Sequence, residues 1–261
     1  SSLRPVNVTY IHGGYKYLSP FCHLPDDEFI AACVDDLRDM LNVATAGDVA
    51  AMIAEPIQGV GGFVTPPDGF FGAMKEVLDE HGILFISDEV QTGWGRTGEN
   101  FWGIEAHGVE PDLMTFAKGA GNGLAIGGVI GKADIIDSLD ANSISTFGGN
   151  PLTMAGAKAN IEYMLSEDLQ TNSLKVGQQL RSAIEDLGDT EQIIGEVRGK
   201  GLMIGVELVV PGTKTPNANA AGAIMESARK QGLLIGKGGL HGNALRIAPP
   251  QGIKLPNGLR E

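Results

Sequence analysis

The sequence predicts an α/β protein with a mainly parallel sheet covered by helices, followed by part of a smaller α+β unit. Three observations carry this. Short apolar runs such as "GILFIS" (82–87) and "LMTFA" (113–117) alternate with stretches of helical period. These runs are apolar at successive positions, as suits parallel strands buried on both faces. Past residue 193 the pattern changes to strand pairs and a helix, the signature of a second layer type.

In chain order, "DDEFIAACVDDLRDML" (26–41) places Phe29, Cys33, Leu37, Met40 and Leu41 on one helical face. "VAAMIAE" (49–55) reads as a short strand ending in the carboxylate of Glu55. "PPDGFFGAMKEVLDEHG" (66–82) sets Phe70, Met74, Val77, Leu78 and His81 at helical spacing, and Gly82 stops the helix. "GILFIS", "LMTFA" and "AIGGVIG" (125–131) supply further buried strands. Helices follow near 153–165 and 169–188. "IIGEVRGKGLMIGVELVV" (193–210) reads as two strands around a Gly-Lys-Gly turn. A helix near 218–230 and a strand pair within 233–248 complete the pattern. The expected division is 1–192 and 193–261.

Composition excludes several classes. In 261 residues, 32 acidic side chains outnumber 19 basic ones, which argues against nucleic acid as the main partner. No apolar run reaches the length of a membrane span. The two cysteines, Cys22 and Cys33, have no zinc-like spacing and are expected as reduced thiols in the cytoplasm, with an organelle matrix left open. "NVT" at 7–9 fits a glycosylation acceptor only by its letters.

The chemistry starts at "FISDEVQTGWGRTG" (85–98). A carboxylate at the edge of a core is costly unless a cation or several donors meet it. Asp88 is thereby delivered to the carboxyl edge of a strand, where ligands of open α/β sheets bind. Lys118 follows another apolar strand 30 residues later, in the glycine-rich "FAKGAGNG". Two readings are open: an ion pair between neighbouring strand ends, or a lysine that forms a Schiff base while Asp88 faces a protonated pyridine nitrogen. "GWGRTG" (93–98) matches G-x-G-x-x-G, but "DEVQT" separates it from its strand and Trp94 and Arg96 fill the loop. A nicotinamide oxidoreductase is therefore a remote alternative.

"AEPIQGVGGF", "SDEVQTGWGRTG", "PDLMTFAKG", "STFGGNPL" and "LRIAPP", in that order, resemble the class III, fold-type I aminotransferases that use pyridoxal 5′-phosphate (PLP). The resemblance implies that Lys118 holds the cofactor covalently and moves the substrate proton, while Asp88 keeps the pyridine nitrogen protonated. It implies that Val90 packs on the ring and that Gln91 stands near the phenolic oxygen. Thr146 would reach the cofactor phosphate of the partner subunit of a homodimer. Arg246 would grip a substrate carboxylate, and Glu55 resembles the glutamate that pairs with that arginine in some branches. The implied substrates are an amino-acid or amine donor and a 2-oxo acid acceptor, with an alanine–glyoxylate-like lean.

The departures set a further expectation. The family's N-terminal segment and glycine–serine phosphate cup have no counterpart, and "QGIKLPNGLRE" (251–261) is short and polar and is interrupted by Pro256 and Gly258. The chain is thus expected to be a fragment that binds PLP poorly alone. A truncated, non-catalytic domain is the second alternative.

Overall fold

The computed structural model describes residues 8–254; Asn7 of the "NVT" triplet and the 255–261 tail with Pro256 and Gly258 lie outside the described residues. Two four-stranded sheets organise these residues. The first runs in the order β1 (Ala51–Ala54), β2 (Leu84–Asp88), β3 (Leu113–Phe116), β4 (Gly128–Gly131). β1, β2 and β3 are parallel, as expected, and β4 is antiparallel to β3. A parallel return needs a long crossover, and the short link 117–127 allows only a hairpin-like reversal.

Helices α1 (Asp26–Val43) and α2 (Phe70–Glu80) cover one face of this sheet. Phe29, Cys33, Leu37 and Leu41 of α1 meet Phe70, Phe71, Met74, Val77 and Leu78 of α2 and Phe85 of β2 in one core. Each fully buried side chain of this kind stabilises by about 1.5–3 kcal/mol. His81, expected on the buried face, instead ends α2 in solvent, with its ring nitrogen 2.9 Å from the Val77 carbonyl. Asp112 locks the edge of β2, accepting the Phe85 N–H at 2.8 Å and the Lys132 ammonium at 2.6 Å. The Lys132 hydrogen bond and the Phe85 N–H hold its carboxyl below the usual range, against the opposing effect of burial.

The opposite face differs from the sequence expectation. Ile53 of β1 and Val129 of β4 lie in register with Ile86 and Thr115 and are exposed. The runs are apolar on both faces, yet within the described residues only one face is covered. Asp88 lies in the same register as Thr115 and Val129 and so shares this second face.

The second sheet is antiparallel throughout, in the order β5 (Ile194–Lys200), β6 (Met203–Leu208), β8 (Ala244–Ile247), β7 (Gly236–Gly238). Every residue of β6 is buried. Leu180 and Ile184 of α5 (Leu169–Thr190), together with Ile224 and Met225 of α6 (Ala218–Lys230), pack on Ile204, Val206 and Leu245. A short helix α3 (Ala133–Ile136) follows β4, and α4 (Pro151–Ser166) precedes α5. Asn150 caps α4 by accepting the N–H groups of Leu152 and Thr153. Cys22 and Cys33 are both free thiols. Among the described residues, no helix is long and apolar enough to cross a membrane.

His107, in the 3-10 turn Gly103–His107, packs edge-on to Phe71 at 4.9 Å and is buried. Burial pushes its imidazole down to about 4 from 6.5, more than the nearby Asp68 pulls it up. The fold therefore accepts the neutral ring, so this contribution is present above about pH 6.5 and is lost as pH falls toward 4. Urea unfolding at pH 6.5 and about 4.5 should show His107→Phe losing about 2 kcal/mol less stability than the parent. Identical losses would show that His107 titrates as freely folded as unfolded.

Candidate active site

At the carboxyl end of β2 two neighbouring carboxylates separate into different roles. Glu89 is fully buried, accepting the N–H groups of Gly103 at 2.9 Å and Ile104 at 2.8 Å, the Thr92 hydroxyl, and the Ser87 hydroxyl at 3.4 Å. Burial raises its carboxyl above the usual range, and these donors work against that shift. Asp88 is half-buried and accepts the Val90 N–H at 3.1 Å. The sequence poses the cost of buried charge at Asp88; in the structure Glu89 bears most of it, and neutral donors rather than a cation meet it.

The glycines of "GWGRTG" serve this loop's packing. Gly98 is in the left-handed region, at φ +77°, and a Cβ there would strike the Leu174 backbone of α5 at 2.6 Å. No helix opens on the motif. The dinucleotide-binding geometry suggested by the letters is absent, because that motif requires a helix N-terminus directly after the strand.

β2 and β3 pair in parallel with Asp88 opposite Thr115, so Asp88 and Lys118 leave the same sheet edge. Lys118 adopts φ 41° and opens the 3-10 turn Lys118–Ala120. Asn160 of α4 holds this turn, donating to the carbonyls of Gly119 at 2.8 Å and Ala120 at 3.2 Å. Lys118 is exposed. It borders a cavity of about 160 Å³ shared by Phe63, Val90, Gln91, Trp94, Arg96 and Met203, among others.

A polar chain reaches this cavity from the second sheet. Glu55 accepts the Gly59 N–H at 2.8 Å and the Gln91 amide at 3.5 Å. The Gln91 carbonyl oxygen accepts Arg246 Nη2 at 3.1 Å. Arg246 lies with its Cζ 4.8 Å from the Phe63 ring centre, and its buried Nε has no hydrogen-bond partner among the described residues. Glu55 and Arg246 are thus linked through Gln91.

Asp88 and Arg246 are not cavity walls; each is tied to one that is, Asp88 to Val90 and Arg246 to Gln91. Thr146 sits in an exposed turn and is not among the lining residues. Sequence reasoning did not find Arg96, Phe63 or Asn160. Arg96 donates to the carbonyls of Pro249 at 2.5 Å and Leu202 at 3.5 Å, tying the "GWGRTG" loop to the segment after β8. Burial lowers its guanidinium below its ordinary value. The one available signal for Arg96 was its lone charge within an otherwise small or apolar loop.

The set of groups fits what PLP requires: a primary amine, a carboxylate and an amide at or beside a cavity walled by both polar and apolar side chains. Comparison with known proteins agrees. The aminotransferase class-III family model matches residues 11–255. An alanine–glyoxylate aminotransferase 2 homolog from Arabidopsis thaliana is 45% identical over 217 residues, which is 82% of this chain and 45% of that protein. An alanine/serine racemase from Pyrococcus horikoshii is 41% identical over 86% of this chain and 47% of its own length. The structure of an amine transaminase from an uncultivated Pseudomonas species, in its PLP-bound form, superposes with a TM-score of 0.84 at 34% identity. It covers 94% of this chain and 57% of the other. The chain spans about half the length of the curated relatives it matches.

The polar chain depends on a close approach at Gly59, where an added Cβ would lie 1.6 Å from Gln91 Nε2. Gly59→Ala must displace Gln91 and break its link to Arg246. Because only the end of a flexible side chain has to move, the expected cost in urea unfolding is below about 1 kcal/mol, with the Gln91–Arg246 contact absent from a crystal structure of the variant. Unchanged stability with the contact intact would show that the cluster is slack.

Proposed function

Because this chain belongs to the class III aminotransferases, we propose that it is the catalytic part of a PLP-dependent enzyme. The reaction moves an amino group from an amino acid or amine to a 2-oxo acid, with an alanine–glyoxylate-like substrate range. The observation that carries this reading is the shared sheet edge of Asp88 and Lys118, with Gln91 and Val90 on the adjoining cavity wall.

PLP, when bound, supplies a pyridinium that accepts the electron pair left as the substrate's α-proton departs. Asp88, whose carboxyl accepts the Val90 N–H, would meet the ring nitrogen and favour its protonated form. Lys118 would hold the cofactor through its Nζ, and the same amine is the group that would take up the substrate's α-proton. Its glycine-flanked turn, anchored by Asn160, sets where that amine stands. Gln91 would donate toward the phenolic oxygen, and Val90 would support the ring. Arg246 receives the substrate carboxylate as a planar fork, and its unpartnered Nε is a donor still to be used. Glu55, held by Gly59, gives Gln91 and Arg246 an acidic counterweight when the substrate carries no carboxylate. Phe63, Trp94 and Met203 exclude water from the walls. The apolar face left bare by Ile53 and Val129, and the exposed turn carrying Thr146, support a homodimer in which Thr146 reaches the partner's cofactor phosphate.

Borohydride reduction of the PLP-loaded protein should fix the cofactor on Lys118 in peptide maps, and Asp88→Asn should lower amino transfer at least about a hundredfold with the fold intact. An adduct on Lys75 or Lys200, or near-normal turnover of Asp88→Asn, would remove the reading. Racemisation of alanine without formation of an oxo acid would assign the racemase activity of the Pyrococcus relative instead.

A further inference from the structure

Arg198 of β5 is a buried cation that the chemistry above does not use. Its Nη1 donates to Glu196 at 2.6 Å and its Nη2 to Glu207 at 2.7 Å. Burial, which disfavours its charge, is outweighed by Glu207 and Glu196, and the guanidinium is held above its ordinary value. The Tyr15 ring covers it at 5.1 Å, and Asn243 donates to the other Glu207 oxygen at 2.7 Å. Two carboxylates already satisfy the charge, yet Nε and Nη2 also fork onto one backbone oxygen, that of Gly62, at 3.1 and 2.9 Å. That fork is a positional constraint on a loop distant in sequence.

The loop it grips leads to the substrate arginine. Gly62 has φ +94°, and Phe63 follows at φ 53°, a left-handed conformation that side chains rarely adopt. The Phe63 ring then lies 4.8 Å from Arg246 Cζ. Gly205, the register partner of Arg246, has no side chain, and a Cβ there would stand 2.3 Å from the Gly62 oxygen. The loop therefore rests on β6, the strand paired with the one that carries Arg246, and it also touches β8, since a Cβ on Gly62 would lie 2.6 Å from Ala244 Cβ. Arg246 itself has two supports, the Phe63 ring and the Gln91 oxygen.

We infer that Arg198 is a positioning residue for the carboxylate-binding arginine: by pinning the Gly62 carbonyl it sets Phe63, and through Phe63 the Arg246 guanidinium. This rests on the reading that Arg246 receives the substrate carboxylate. Lys118, Asp88 and Gln91 take no hydrogen bond from Arg198, so loss of the pin acts on carboxylate recognition and spares amines that lack a carboxylate. Arg198→Lys keeps a charge against Glu196 and Glu207 but cannot fork onto Gly62.

The test uses the PLP-loaded protein with two donors of matched size, alanine and isopropylamine, which differ by carboxylate against methyl. Arg198→Lys should lower the alanine-to-isopropylamine ratio of kcat/KM about tenfold, mainly through KM for alanine. Calorimetric titration of the cofactor-free protein with propionate should show a parallel weakening. Arg246→Ala, measured alongside, must collapse the ratio; an unchanged ratio there overturns both the role of Arg246 and this inference. A collapsed ratio in Arg246→Ala, with equal losses for both donors in Arg198→Lys, overturns the inference and leaves the reading of Arg246 standing. If Arg198→Lys fails to fold, Phe63→Leu carries the test: it leaves the Arg198 cluster in place and, although Phe63 is also a cavity wall so that both rates fall, it must lower the alanine-to-isopropylamine ratio; an unchanged ratio sinks the proposal.

Discussion

The site depends on a carboxylate that takes no part in its chemistry. Glu89 has no exposure to solvent, and four neutral donors converge on it from Ser87, Thr92, Gly103 and Ile104. An unpaired buried carboxylate would be prohibitive, so the chain from 92 to 104 must fold back over the end of β2 to supply those donors. That folding back fixes the side on which Asp88, Val90 and Gln91 emerge. Adjacent residues after a strand point opposite ways, so Glu89 in the core places Asp88 on the other face, with Thr115 and Val129.

Two arginines, Arg96 half-buried and Arg198 buried, then join the second sheet to this edge by hydrogen bonds to backbone carbonyls. Arg96 reaches from the "GWGRTG" loop to Pro249 and Leu202. Arg198 reaches from β5 to Gly62. Charged donors to carbonyls are strong and directional, and removing one leaves a buried acceptor without its partner. Arg246 therefore approaches Gln91 across the seam between the sheets as a consequence of contacts made elsewhere.

Much of this was legible in the sequence, for physical reasons that vary by element. α1, α2 and α6 follow from the spacing of Phe29, Cys33 and Leu37, of Phe70, Met74 and Val77, and from the run 218–230, because one-sided burial imposes a helical period. β2 and β3 were readable as wholly apolar runs, and with them the shared edge of Asp88 and Lys118. β4 was read as a buried strand, but the reversal after Lys118 makes it an exposed antiparallel edge, which depends on loop length rather than hydrophobicity. Which of two adjacent carboxylates is buried depends on donors 14 and 15 residues away, at Gly103 and Ile104, which no local pattern reveals. Gln91 as the bridge between Glu55 and Arg246 was equally hidden, since the three residues span both sheets. Phe63 and Arg198 carry no motif of their own; their importance lies in a left-handed residue and a backbone acceptor.

The claim at the centre is that Asp88, placed by Glu89, holds a protonated ring nitrogen beside Lys118. Nitrogen-15 NMR of the protein loaded with ring-labelled PLP reads that proton directly. The account predicts a pyridinium shift that stays constant from about pH 6 to about pH 9 and moves to the unprotonated value in Asp88→Asn, because a neighbouring carboxylate favours the charged form across that range. An unprotonated nitrogen in the parent protein, or one that titrates alike in parent and variant, would contradict it.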